Sequence, residues 1–132
     1  MDKLPNDTKK LKARLRRYER QLRQEYAHFG AYDDGGGLRY EVGQLYLLVG
    51  DLPGALQSFA WFEQAFPDDG GEPLHHLCWT LALFQSGNRA AAAQRLRETM
   101  LDNLYLIPHL LGMPQDRLAI WHGSNWSMPE YV

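Results

Sequence analysis

Apolar residues recur every three or four positions in five successive stretches of this chain, separated by short polar or glycine-bearing breaks. That period belongs to helices with one buried face, not to strands. In the first stretch Asp7 or Thr8 can cap the start, Leu11, Leu15, Tyr18, Leu22, Tyr26 and Phe29 share a face, and Gly30 stops it. This predicts a helix over 8–29. A second stretch, helix A, carries Leu38, Val42, Leu45, Tyr46 and Val49 and ends at Gly50. Helix B follows, with Asp51 as its cap, Pro53 in its first turn, Leu52, Ala55, Leu56, Phe59, Phe62 and Phe66 on its inner face, and Pro67 as its stop.

The next pair repeats this grammar. Glu72-Pro73 opens helix A′, whose stripe is Leu74, Leu77, Cys78, Leu81 and Phe84, widened by Trp79 and Leu83. Gly87-Asn88 then stands where Gly50-Asp51 stood in the first pair, and helix B′ over 89–101 is expected to turn Ala92, Ala93, Leu96 and Met100 inward. Leu104–Leu111 predicts a short helix or a pair of turns around Pro108, stopped by Gly112 and Pro114, and Gln115–Trp121 one or two further helical turns. The tail from His122 has no period, but Trp121, Trp126, Met128 and Tyr131 give it an aromatic character, which predicts that it folds back or meets a second copy. The fold class is all-α, with five to six helices.

Asp-Asp-Gly-Gly occurs at 33–36 and again at 68–71, and a spacing in this range is the mark of stacked repeats. Gly43 sits inside helix A, where glycine costs about 1 kcal/mol against alanine, so a second helix is expected to approach there. Gly43, Tyr46, Gly50, Ala55, Phe59 and Pro67 fall at the signature spacings of the tetratricopeptide repeat, which the first hairpin resembles. The second copy resembles it more loosely: Gly87, Ala92 and Leu96 keep the spacing, while Thr80 stands where glycine or alanine is usual. The resemblance implies a solenoid of helical hairpins in a single domain over 1–132: a basic helix at 8–29, repeat one at 38–69, repeat two at 72–103, and a cap and tail at 104–132. It also implies a partner-binding groove lined by the first helix of each hairpin, here Tyr40, Gln44, Leu47 and Leu48, then Leu77, Cys78, Leu81, Phe84 and Gln85. Tyr40, Gln44 and Cys78 replace the Lys and Asn that clamp a terminal carboxylate in that family, so an apolar ligand such as an amphipathic helix fits better.

Charge divides the chain. Residues 1–30 hold nine Lys or Arg against four acids, a net of +5, and the other 102 residues have a net of −7. Lys9, Lys10, Lys12, Arg14, Arg16, Arg17, Arg20 and Arg23 are candidate contacts for phosphates or anionic lipid. They read as spread around the helix, and the solvated face of a docked capping helix is the preferred account. Like charges four apart also make this helix marginal alone, so it needs a surface to dock on.

Other chemistry is sparse. His75, His76 and Cys78 are the only metal-like cluster, and they read as structural histidines beside a core thiol. The Asp-Asp-Gly-Gly segments lack cation-loop and phosphate-loop spacing and read as turns. Ser58, Ser86, Ser124 and Ser127 carry no nucleophile motif, so no catalytic residue, metal or cofactor is assigned. Trp61 lies off the main stripe of helix B and is expected to meet the second hairpin or to stand exposed as an anchor. A lone cysteine, no apolar run long enough to span a bilayer and no apolar leader point to a cytoplasmic protein without a membrane span. The expected function is a small non-enzymatic interaction module of bacterial repeat-protein character that binds another protein or peptide. Nucleic-acid or anionic-surface binding through the basic helix, self-association of basic arms on acidic bodies, and toxin neutralisation are the alternatives.

Overall fold

The computed structural model describes residues 7–120 and Pro129. The expected fold-back of the aromatic tail lies outside the described residues. Among these, the chain forms six α-helices, one short 3-10 helix and no strand. It divides into two compact units, Met1–Asp69 and Gly70–Val132.

The first unit contains α1 (Thr8–Phe29), the 3-10 turn Leu38–Tyr40, α2 (Val42–Leu48) and α3 (Leu52–Ala65). The Asp7 carboxylate caps α1 through the Lys9 N–H, and Gly30 ends it in the left-handed conformation. Leu11, Leu15 and Leu22 of α1 are buried with Val42 and Leu45 of α2, so the helix docks on α2 through its leucine stripe. Tyr26 and Phe29, expected on that face, are exposed.

Helix A starts later as an α-helix than its apolar period suggests. The Asp34 carboxylate accepts the N–H groups of Leu38 and Arg39, both at 2.9 Å, and these bonds tie Leu38–Tyr40 into a separate turn. The α2–α3 junction satisfies both helix ends at once. The Gly50 N–H donates to the Leu47 carbonyl and the Asp51 N–H to the Tyr46 carbonyl, while the Asp51 carboxylate caps α3 through the Gly54 N–H. This is a Schellman closure followed directly by an N-cap. A Cβ on Gly43 would lie 2.4 Å from Phe59 and one on Gly54 would lie 2.5 Å from Tyr46, so each helix receives an aromatic ring of the other over a glycine.

The second unit contains α4 (Pro73–Gln85), α5 (Arg89–Asp102) and α6 (Leu106–Leu110). Its turn has the same grammar: Gly87 donates to Phe84, Asn88 donates to Leu83, and the Asn88 side chain caps α5 through the Ala91 N–H. The inner face of α5 differs from expectation. Ala92, Thr99 and Asn103 are buried, whereas Ala93, Leu96 and Met100 are exposed. Paired polar groups explain the rotation. The Thr80 and Thr99 hydroxyls meet at 3.2 Å, Thr99 also donates to the Arg95 carbonyl, and the Arg95 guanidinium lies 3.5 Å from the Trp79 ring centre. Asn103 accepts the Tyr105 N–H and Gly112 closes α6. Residues 115–120 form no helix, contrary to expectation; the Leu118 N–H is held by the Tyr105 hydroxyl instead.

Candidate functional site

Partner recognition by a helical hairpin needs exposed apolar side chains on a fixed helix face. In α4, Leu74, Leu81 and Phe84 are 47%, 43% and 56% exposed and share a face with the half-buried Cys78. Gln85 is exposed beside them, and Leu77 is buried. Arg89 lies 5.6 Å from the Phe84 ring centre, over one side of it. In α2, Leu48 is exposed and Leu47 half-buried. Tyr40 and Gln44 serve the interior of their own unit. Tyr40 donates to Asp69 at 2.8 Å with its ring 5.8 Å from Phe62, and the Gln44 amide donates to the Tyr40 carbonyl at 2.9 Å.

Arg39 organises the polar side of the first unit, a role that nothing in its sequence context signals. Its guanidinium meets Asp34 at 3.0 Å, Asp69 at 2.6 Å and the Tyr40 hydroxyl at 2.8 Å. The two Asp-Asp-Gly-Gly segments thereby act together: Asp34, with a positive φ, holds the 3-10 turn, and Asp69 is drawn to Arg39. Burial works to lower the Arg39 pKa, but the hydrogen bonds to Asp69 and Asp34 outweigh it and raise the pKa above its ordinary value. Burial, with donation to Asp69, pushes the Tyr40 phenol up to about 12.

A cleft of about 240 Å³ lies between α1, the following loop and α3, lined in part by Glu19, Arg23, Tyr46, Gln57 and Trp61. Tyr46 donates to Glu19 across it, and burial together with that bond pushes the Tyr46 phenol up to about 12. Trp61 is held inside its own unit. Its indole N–H donates to the Tyr32 hydroxyl at 3.3 Å, and its ring centre stands 5.4 Å from Tyr32 and 5.6 Å from Phe66. Tyr32 escaped the sequence reading because a loop residue belongs to no period.

His75 and His76 are buried, and a ring nitrogen of His76 meets the Gly70 carbonyl at 2.5 Å. Burial pushes the Cys78 thiol up to about 11. Asp102 is also raised, mainly by burial and further by Glu72, against the opposing effect of His76. Among the described residues no group of three His, Cys, Asp or Glu side chains is placed to hold a metal ion.

On α1, Lys9, Lys10, Lys12, Arg16, Arg17, Arg20 and Arg23 are exposed and Arg14 is half-buried. The unbroken helix does not scatter them evenly. Lys9, Lys12, Arg16, Arg20 and Arg23 follow one another at intervals of three or four, which places five cations within about 80° of arc.

The fold defines a class: an all-helical protein built from helical hairpins, with an apolar stripe on α4 and a basic ridge on α1. No protein-family model, curated protein or solved structure matches the chain. No helix among the described residues is long and apolar enough to cross a membrane.

Proposed function

We propose that the chain is a non-enzymatic protein-interaction module of two tetratricopeptide-like hairpins that holds an apolar segment of another protein, such as an amphipathic helix. The observation that carries this reading is the exposed stripe Leu74, Leu81 and Phe84 on α4. An exposed apolar row on a helix rigidly packed on its other side is what helix-in-groove recognition requires. In the first hairpin, Leu47 and Leu48 are the apolar counterparts. Tyr40 and Gln44 have their polar atoms engaged at home, which supports an apolar partner over a clamped carboxylate. The twin turns at Gly50-Asp51 and Gly87-Asn88 support the repeat assignment.

The test is affinity capture with the full chain and with a Leu81→Ser/Phe84→Ser variant, both checked for equal helicity by circular dichroism. Both positions are exposed, so the fold should survive. The partner captured by the parent chain should be lost from the variant. Equal capture by both chains would refute the proposal.

A further inference from the structure

The exposed side of α1 is more uniformly positive than its composition implies. The helix contains two acids, Glu19 and Glu25, and both are spent inside the first unit. Glu19 accepts from the Tyr46 hydroxyl, and Glu25 accepts from the N–H groups of Asp33 and Asp34. The leucine stripe, about 120° round the helix from the middle of the basic ridge, packs into the core with Val42 and Leu45. What remains outside is the ridge Lys9, Lys12, Arg16, Arg20 and Arg23, which runs about 21 Å along the axis. Lys10 and Arg17 form a second row about 100° round from Lys9.

We propose that this ridge is a binding site for double-stranded DNA, with α1 lying along the major groove and its two rows of cations meeting phosphates on both walls. Three features favour this ligand over other polyanions. An α-helix with side chains is about 10–12 Å across and the major groove of B-form DNA about 12 Å wide, whereas the A-form groove is too narrow for it. A bilayer would touch one side of the helix only, and of the apolar face needed to enter it Leu11, Leu15 and Leu22 are already buried in the unit, leaving Tyr26 and Phe29 at one end. An acidic protein surface would need an anchor at the centre of the contact, but Ala27 within the ridge and Ala13 and Gln24 between the two rows supply none. The contacts would be to the backbone, which positions a protein without reading sequence.

Fluorescence anisotropy of the full chain with a labelled mixed-sequence 20-base-pair duplex tests this. Seven phosphate contacts, five from the ridge and two from the second row, predict that affinity falls about 6,000-fold between 50 and 200 mM salt. Arg16→Gln alone should reduce the salt slope by about 0.9, and Lys12→Gln/Arg16→Gln/Arg20→Gln/Arg23→Gln should weaken binding at 50 mM salt by more than about 100-fold. Arg16→Lys/Arg20→Lys should keep both affinity and slope. No binding at 50 mM salt, or an Arg16→Gln slope equal to the parent's, would overturn the proposal. So would tighter binding of phosphatidylserine vesicles, single-stranded DNA or duplex RNA than of the DNA duplex. None of these outcomes bears on the α4 stripe.

Discussion

Replacing Gly43 by alanine isolates the contact that sets the spacing of α2 and α3. An added Cβ would lie 2.4, 2.6 and 2.9 Å from three ring atoms of Phe59, a residue with no exposed surface. The ring cannot swing into solvent, so one helix or the other must shift. Overpacking of this kind costs about 1–3 kcal/mol. Alanine returns about 1 kcal/mol of helix propensity, which leaves a net loss of about 1 kcal/mol at the middle of the range. The sign should reverse once the ring is removed. Phe59→Leu deletes the two closest ring atoms and costs about 1–2 kcal/mol by itself. In that background Gly43→Ala should be neutral or stabilising by up to about 1 kcal/mol. Urea unfolding of the four proteins of this double-mutant cycle, followed by circular dichroism, measures the coupling. If Gly43→Ala stabilises the parent chain, or changes both backgrounds equally, the helices are not held apart by this contact and the close-approach argument is wrong.

Two further outcomes follow from the titratable groups. In a spectrophotometric titration, Tyr40 and Tyr46 should ionise near pH 12 rather than 10; because the folded chain keeps these protons while the unfolded chain loses them, stability should fall as pH rises from 10 to 12, and Tyr46→Phe should remove part of that fall. Cys78, raised from 9.0 to about 11, should react with iodoacetamide at pH 8 about 100-fold more slowly in the folded chain than in urea, through its smaller thiolate fraction alone; equal rates would show that the thiol is not buried as described.

Helix ends were the most legible part of this chain. Asp7, Gly30, Asp51 and Asn88 do locally what their side chains or missing side chains allow, and the boundaries of α1, α3 and α5 lie within a residue or two of those read from the sequence. Gly43 also announced its contact correctly, because a mid-helix glycine has a cost that only packing offsets. Buried polar pairs were not legible. The inner face of α5 is built on Thr99 and Asn103 rather than Leu96 and Met100, since Thr80 supplies a hydroxyl partner that no apolar period can signal. The Arg39 cluster joins residues some thirty positions apart through charges that in sequence look like ordinary loop polarity. The basic ridge was present in the spacing of α1 but became distinct only with Glu19 bound to the Tyr46 hydroxyl and Glu25 to the Asp33 and Asp34 N–H groups.

The bend that joins α2 to α3 is a latch whose every bond lies between residues at most five apart, so the bend itself draws on no distant part of the chain. Such a segment behaves as a cassette. One residue inserted between Val49 and Asp51 would unfasten the end of one helix and the beginning of the next in a single stroke.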